Sequence, residues 1–174
     1  RSLYQFFRRN GLPAMHWNQG TVGRQLLINL AKGHPPFEGF EQFVFYSDLM
    51  GPVGLPIIEG HFYFREMHAA YPDALFILNT RTEDGWIASR QRHPEFIERF
   101  RRHYRLETPA EVEELWRAQW RVHHEAVLDH FASRPGQLLV FDLEAHDGAA
   151  IKAFAAGRYE LDETHWGHFG KATA

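Results

Sequence analysis

The feature that most constrains the fold of this chain is an uninterrupted apolar run, ALFILNT at residues 74–80, which ends at Arg81 and is followed by a helical pattern. Continuous apolar character over so short a stretch predicts a strand buried on both faces, as in a parallel sheet. A second run, QLLVFDLE at residues 137–144, has the same character. We therefore expect an α/β fold with a mainly parallel sheet.

Helical patterns alternate with shorter strand candidates through the rest of the chain. The clearest helix start is a capping box, in which Thr108 and Glu111 flank Pro109 at the first helical position. The tail from residue 159 has no clean period and is predicted to be a structured loop. We predict strands at residues 14–17 and 43–49, and helices at residues 2–13, 21–33, 60–72, 82–92, 108–133 and 148–157.

The long helix that begins after Thr108 carries a stripe of large apolar side chains at helical spacing. Core packing is the preferred interpretation of this stripe, and an aromatic cage for a ligand is the alternative. Its members are Val112, Trp116, Trp120, Val127 and Phe131.

Length and composition exclude several classes of protein. With 174 residues and 44% hydrophobic content, the chain should fold as one domain over residues 1–174 and bury about 70% of its unfolded surface. A net charge of −3 offers no global field for nucleic acid, so any anion site must be local. The absence of cysteine excludes disulfides, thiolate zinc sites and a cysteine nucleophile. Without a long apolar segment or a leader pattern, we expect a soluble, cytoplasmic protein with no membrane span.

The point where the apolar run meets Arg81 is the best local anion site. The carboxyl edge of a parallel sheet presents Arg81 beside the start of the next helix, where unpaired N–H groups favour negative charge. Ser89 lies about 10 Å along that helix, so Arg81 must lean along it for both to reach one phosphate. The alternative is that Arg81 is a surface residue and Ser89 a solvated helical one.

An apolar strand, an arginine and a serine eight residues later, with Trp86 between them, resemble the 3′-phosphate-binding motif of the sulfotransferases. The segment AAYPDALFILNTR before it, the strand LLVFDLE and the tail HFGKATA are also similar to segments of that family. The resemblance implies a three-layer P-loop NTPase-like α/β fold, with helices flanking a central sheet. It implies 3′-phosphoadenosine 5′-phosphosulfate as the donor, with Arg81 and Ser89 on the 3′-phosphate and Lys171 in a loop that covers the cofactor.

The chain departs from the family pattern at its beginning. Family members open with a strand and a glycine-rich loop that holds the 5′-phosphosulfate, whereas this chain opens RSLYQFF and contains no G-x-x-x-x-G-K-[ST] or G-x-G-x-x-G motif. RSLYQFF resembles the end of that loop, which would put Ser2, and with it Arg1, beside the 5′-phosphosulfate. We expect that the strand and most of the loop precede Arg1, and that without them the chain would fold poorly and transfer no sulfate.

Sulfuryl transfer needs a base for the acceptor hydroxyl, near the end of a strand. Asp48, after the run FVFYSD, is the first candidate, and His16, after AMH, is the second. Glu59 and His61, at the start of the next helix, are further candidates. The alternative for Asp48 is a turn or cap residue, and His16 has a comparable structural alternative.

The twelve histidines do not stand in a recognised metal motif, so we expect no metal. The closest pairs are His123 with His124 and His165 with His168. A run of arginines, most simply a solvated face, could instead meet an acidic glycan. It comprises Arg90, Arg92, Arg99, Arg101, Arg102 and Arg105.

Three functions fit these observations. The first is a sulfotransferase that acts on a hydroxyl or amine of a carbohydrate, lipid or small molecule, releasing 3′-phosphoadenosine 5′-phosphate. The second is a P-loop kinase, which would need a Gly-Lys-Ser/Thr loop before Arg1. The third is a catalytically inactive relative that acts as a binding module.

Overall fold

The computed structural model describes residues 1–52 and 57–169, which form two compact units. The first unit combines Arg1–Leu75 with Ala145–Ala174, and the second is Phe76–Glu144. Their elements are helices α1 (Ser2–Arg9), α2 (Thr21–Ala31), α3 (Phe64–Ala70), α4 (Glu83–Gln91), α5 (Pro94–Tyr104), α6 (Pro109–Phe131) and α7 (Gly148–Phe154), and strands β1 (Ala14–His16), β2 (Phe45–Ser47), β3 (Phe76–Thr80) and β4 (Leu138–Asp142). Short 3-10 helices lie at Asn18–Gly20, Gly60–Tyr63 and Glu163–His165.

In the first unit, β1 and β2 pair in parallel, with Ala14 opposite Phe45 and His16 opposite Ser47. Helix α1 packs on this pair because its apolar face points inward, with Phe6 fully buried. The ring of Phe7 stacks on that of Phe45, with the centroids 4.2 Å apart. The amphipathic pattern of α1 therefore decides which face of the β1–β2 pair is covered.

Helix α2 packs tightly on the segment that follows β2. A Cβ atom on Gly23 would lie only 2.4 Å from the carbonyl oxygen of Leu49, so the helix backbone approaches this segment directly. At the other end of α2, the buried Asn29 side chain donates to the carbonyl oxygens of Pro36 and Glu38, at 3.1 and 3.0 Å. These contacts fix the loops at both ends of α2.

In the second unit, β3 and β4 pair in parallel, with Phe76 opposite Leu138 and Thr80 opposite Asp142. The predicted parallel sheet is thus confirmed for these two apolar runs. Burial on both faces does not extend along the whole strands, because Asn79 and Val140 are exposed. The mainly parallel α/β class is confirmed, and the three-layer arrangement stays a prediction.

Four residues of the apolar stripe of α6 are buried in the core, as predicted, and Trp120 is half-buried. Trp116 and Phe131 are almost completely buried, and Phe131 contacts Phe76 of β3 with ring centroids 4.9 Å apart. The guanidinium of Arg90 lies over the rings of Trp86 and Trp116, at 4.5 and 4.8 Å. This arginine belongs to the helix interface and not to a fully solvated face.

Helix α5 was not predicted from the sequence. The predicted helix over residues 82–92 stops before Pro94, because proline disfavours a helical residue before it, and Pro94 is also the first residue of α5, a position that proline favours. Within α5, Arg101 and Arg102 both bond the Glu98 carboxylate, at 3.0 and 2.8 Å. Part of the arginine run is therefore neutralised by its own helix.

The capping box of α6 generates a stability prediction. The Thr108 hydroxyl accepts from the Glu111 N–H at 3.3 Å, and the Glu111 carboxylate accepts from the Thr108 N–H at 3.0 Å. We expect Thr108→Ala to lower the free energy of unfolding by about 1 kcal/mol, because the first turn of α6 loses its side-chain acceptor. Urea denaturation measures this change. Thr108→Ser keeps the hydroxyl, and a loss as large as that of the alanine variant would contradict the cap assignment.

Candidate active site

The carboxyl ends of β1 and β2 bring His16, Ser47 and Asp48 together. His16 and Ser47 are the last residues of their strands and face each other in register. The Nδ1 atom of His16 lies 3.1 Å from the Ser47 hydroxyl, and its Nε2 atom lies 3.8 Å from the Asp48 carboxylate. The two residues that the sequence offered as alternative bases are thus neighbours.

The contacts of Ser47 are compatible with one catalytic tautomer of His16. When the Ser47 hydroxyl donates its hydrogen to the carbonyl oxygen of Met15, 3.3 Å away, it accepts from the imidazole. In that arrangement Nδ1 carries the hydrogen, and the lone pair of the neutral ring is on Nε2. Tyr4 stacks on the imidazole with the ring centroids 5.3 Å apart. This arrangement leaves Nε2 as a proton acceptor.

Burial lowers the pKa of His16, and the nearby Asp48 carboxylate acts in the opposite direction. A histidine whose pKa is lowered is neutral at pH 7, the form that can accept a proton. Once protonated, the imidazolium would be stabilised by Asp48 at 3.8 Å. The pair can therefore take up a proton at Nε2 and hold the resulting positive charge.

Unusual backbone geometry surrounds this cluster. Trp17, Asn18 and Gln19 have φ values of 50°, 46° and 57°, and Asp48 has a φ of 53°. Such left-handed conformations are unfavourable for residues other than glycine and collect at functional sites. Here they lie directly after the two strands that carry His16 and Ser47. The strain is an independent indication that this edge of the sheet is functional.

The other residues predicted at this end of the chain have structural contacts. Ser2 is the first residue of α1, and its hydroxyl accepts from the Phe169 N–H at 2.9 Å. The guanidinium of Arg9 lies 4.3 Å from the centre of the Phe169 ring. Arg1 is exposed, and its carbonyl oxygen accepts from the Gln5 N–H at 3.0 Å. The tail thus reaches the start of α1, while Lys171 lies outside the described residues.

Glu59 and His61, the remaining acid–base candidates, flank the start of the 3-10 helix Gly60–Tyr63. Glu59 is buried and forms an isolated antiparallel bridge with Met50. His61 lies against Phe62, with the ring centroids 4.3 Å apart. Among the described residues, no group of three or more histidine, aspartate or glutamate side chains could hold a metal ion.

In the second unit, Arg81 follows β3 directly and Thr82 caps α4, accepting from the Gly85 N–H at 3.2 Å. The stem of Arg81 lies over the first turn of α4. Its Cδ atom is 3.4 Å from the position that a Cβ atom on Gly85 would occupy. Ser89 is one turn further along the helix and is half-buried. The stem of Arg81 thus lies over the first turn of α4, where Gly85 gives it room, and its meeting with Ser89 on one anion stays a prediction.

The charge of Arg81 is not neutralised by any described side chain, in contrast to the charges of the nearby residues that form ion pairs. Glu83 bonds both Arg121 and Arg117, with its closest approaches at 2.7 and 2.9 Å, and these bonds hold its pKa at about 2. No described residue gives the Arg81 guanidinium or the Ser89 hydroxyl a side-chain hydrogen bond or an ion pair. The Glu144 carboxylate lies on the same side of the helix, 3.7 Å from the Cβ position of Gly85. An anion could therefore bind the unpaired Arg81 guanidinium here, with the Glu144 carboxylate as the one acid that competes for it.

Three polar residues of these clusters were not identified from the sequence. Ser47 could have been suspected from its place before Asp48 in YSD. Thr80 and His124 are 44 positions apart, yet the Thr80 hydroxyl lies 2.9 Å from His124 Nε2. No sequence pattern predicts this hydrogen bond, because it depends on how α6 packs on β3.

Comparison with known proteins bears on the second unit in particular. Residues 57–137 match the family model described as "Sulfotransferase domain". The match supports a sulfotransferase family. It covers just under half of the chain, runs from the first unit into the second, and includes Arg81, Ser89 and His124 but not His16 or Asp48. No curated protein and no solved structure matches the chain significantly.

The family match and the α/β fold together support a sulfotransferase-type function, and so a transferase. Within the described residues, no helix has both the length and the apolar character that a membrane crossing requires.

The strained backbone of Asp48 gives a prediction. We expect Asp48→Gly to raise the free energy of unfolding by roughly 0.5–1 kcal/mol, because glycine adopts positive φ without steric cost. Thermal or urea unfolding measures the change. Asp142→Gly is the matched control at the end of β4, where φ is not positive and the carboxylate accepts from the Glu144 N–H at 2.8 Å; it should destabilise the protein. Equal destabilisation by both substitutions would show that Asp48 is not strained.

Proposed function

We propose that this protein transfers a sulfuryl group from 3′-phosphoadenosine 5′-phosphosulfate to a hydroxyl or amine of a carbohydrate, lipid or small molecule. The single observation that carries this proposal is Arg81, an arginine without a side-chain partner among the described residues, inside the segment that matches the sulfotransferase domain. The half-buried Ser89 on the next turn of α4 supplies a second donor for the same anion.

Arg81 and Ser89 hold the 3′-phosphate of the nucleotide. The planar guanidinium can bond two phosphate oxygens at once and stays charged at every relevant pH. The N-terminal turn of α4 adds its positive dipole, although Glu83 and Asp84 in that turn offset part of it. Because Arg117 and Arg121 bond Glu83, most of that opposing charge is neutralised.

His16 takes the proton of the acceptor. The acceptor oxygen or nitrogen attacks the sulfur atom, the bond between that sulfur and the bridging oxygen of the 5′-phosphate breaks, and 3′-phosphoadenosine 5′-phosphate leaves with the bond's electron pair. The acceptor proton passes to Nε2 of His16, whose neutral tautomer is supported by the Ser47 and Met15 contacts. Asp48 stabilises the imidazolium that results, so it assists the base and does not replace it.

The 5′-phosphosulfate arm rests on Ser2 and Arg1 at the start of α1. A helix start suits an anion, and α1 has no acidic residue in its first turn. The contact between Phe169 and Ser2 supports a role for the tail in covering this end of the cofactor. No metal is required, since the transferred group carries less charge than a phosphoryl group.

Ligand-dependent stability tests the nucleotide assignment. We expect 3′-phosphoadenosine 5′-phosphate to raise the melting temperature of the protein expressed from its complete reading frame, and Arg81→Ala to abolish the shift. Arg92→Ala, at the exposed arginine after α4, is the matched control and should keep the shift. Glu144→Gln should enlarge it, because a competing carboxylate is removed. If ATP with Mg²⁺ stabilises the protein and the 3′-phosphorylated nucleotide does not, the protein is a kinase and the proposal is wrong.

A further inference from the structure

The carboxyl end of β3 contains a hydrogen-bonded chain that reaches from α6 to Arg81. The Nδ1 atom of His124 lies 2.8 Å from the carbonyl oxygen of Trp120, and its Nε2 atom lies 2.9 Å from the Thr80 hydroxyl. The same hydroxyl lies 3.2 Å from the carbonyl oxygen of Arg81. The chain therefore ends on the backbone of the residue that we assign to the 3′-phosphate.

Counting hydrogens shows that this chain has two states. A carbonyl oxygen only accepts, so Nδ1 of His124 must carry a hydrogen in both states. When the imidazole is neutral, Nε2 has a lone pair and the Thr80 hydroxyl donates to it. When the imidazole is protonated, Nε2 donates to the hydroxyl, which then turns and donates to the Arg81 carbonyl. The position of a single hydroxyl hydrogen thus reports the charge of His124.

We propose that His124, acting through the Thr80 hydroxyl, is a positioning residue for Arg81 and binds its proton together with the anion that Arg81 holds. This inference rests on the proposed function, because it takes Arg81 as the 3′-phosphate ligand. It adds two residues to that site and a dependence on pH.

The surroundings of His124 favour its neutral form when no anion is present. Burial lowers the pKa of His124, and the bond to the Trp120 carbonyl opposes part of that effect. At pH 7 without nucleotide, the imidazole is therefore neutral and Thr80 donates to Nε2.

Other charged groups lie on the elements that pack around His124. Asp142 of β4 is opposite Thr80, Glu83 of α4 is bonded to Arg117 and Arg121, and His123 is adjacent on α6 with its ring centroid 6.2 Å from that of His124. Helix α5 contacts α6 through Phe100 and Trp116. His123 is a second imidazole in this set, so it is left unchanged in every variant compared below.

A phosphate on Arg81 changes this balance. A dianion beside the chain favours the imidazolium, so nucleotide binding should raise the pKa of His124 and take up a proton. Because binding takes up a proton, the contribution of His124 to nucleotide affinity increases as the pH falls through the pKa that His124 has in the bound state. A rise of one pKa unit corresponds to about a tenfold change in affinity across the titration. Protonation of the 3′-phosphate itself, near pH 6, weakens binding and acts in the opposite direction.

The experiment measures the dissociation constant of 3′-phosphoadenosine 5′-phosphate from pH 5.5 to 8.5 for the wild-type protein and for His124→Asn. Both proteins share the titration of the phosphate and both keep His123, so the ratio of the variant's constant to the wild-type constant isolates His124. We expect this ratio to rise as pH falls, by up to about tenfold for a pKa rise of one unit. An NMR titration of the His124 imidazole should show its pKa rising when the nucleotide is added.

Thr80 variants test the connection through the hydroxyl. Thr80→Val keeps the shape of the side chain and removes the hydroxyl, so we expect about fivefold weaker nucleotide binding and a reduced pH effect. Thr80→Ser is the matched control and should keep both affinity and pH profile. These variants leave His124 in place, which separates the loss of the hydrogen-bonded chain from a general loss of packing around α6.

The two proposals fail in different ways. If the wild-type protein does not bind the nucleotide, or binds it unchanged in Arg81→Ala, both proposals are overturned. If binding requires Arg81 but the ratio for His124→Asn is the same at every pH, only the role of His124 is overturned. Wild-type affinity in Thr80→Val would likewise exclude the hydroxyl as the connection.

Discussion

Parallel strand pairing is the constraint on which both polar clusters of this protein depend. Parallel neighbours end at the same edge of a sheet, so the residues that follow them must meet there. In the first unit this rule joins His16 to Ser47 and Asp48, and in the second it places Arg81 beyond the pair Thr80 and Asp142. Neither cluster requires a special motif. Each cluster forms because a short strand ends at the edge of its sheet, so that the next residue lies at that edge.

The distribution of partners distinguishes functional charge from structural charge. Arg117 and Arg121 are bonded to Glu83, Arg101 and Arg102 share Glu98, and Arg90 lies over aromatic rings. These contacts stabilise helices. Arg81 is different because no described side chain neutralises it, although it lies just before the first turn of α4, which contains Glu83 and Asp84. An arginine without a neutralising side chain, beside the start of a capped helix, is suited to bind an anion from solution.

Much of the framework could be predicted from single stretches of sequence. The capping box at Thr108, the start of α4 and the two long apolar runs lie where the patterns predicted them, because each depends on residues close together in the chain. The lean of Arg81 along α4 also followed from helix geometry. Helix α5 was missed because one proline ends a helix and begins the next. The acceptor remains a proposal because no described contact selects one.

The sequence by itself determined the α/β class, the candidate anion site of Arg81 and Ser89, and the two candidate bases, since strand ends and helix starts are local properties. Only the tertiary structure decided that His16 and Asp48 are one cluster with Ser47, that Ser2 is bound by the tail at Phe169, and that Thr80 bonds His124. Each of these contacts joins residues from distant parts of the chain. The packing of the elements decides which residues meet, and the periodicity and spacing of the sequence do not predict these contacts.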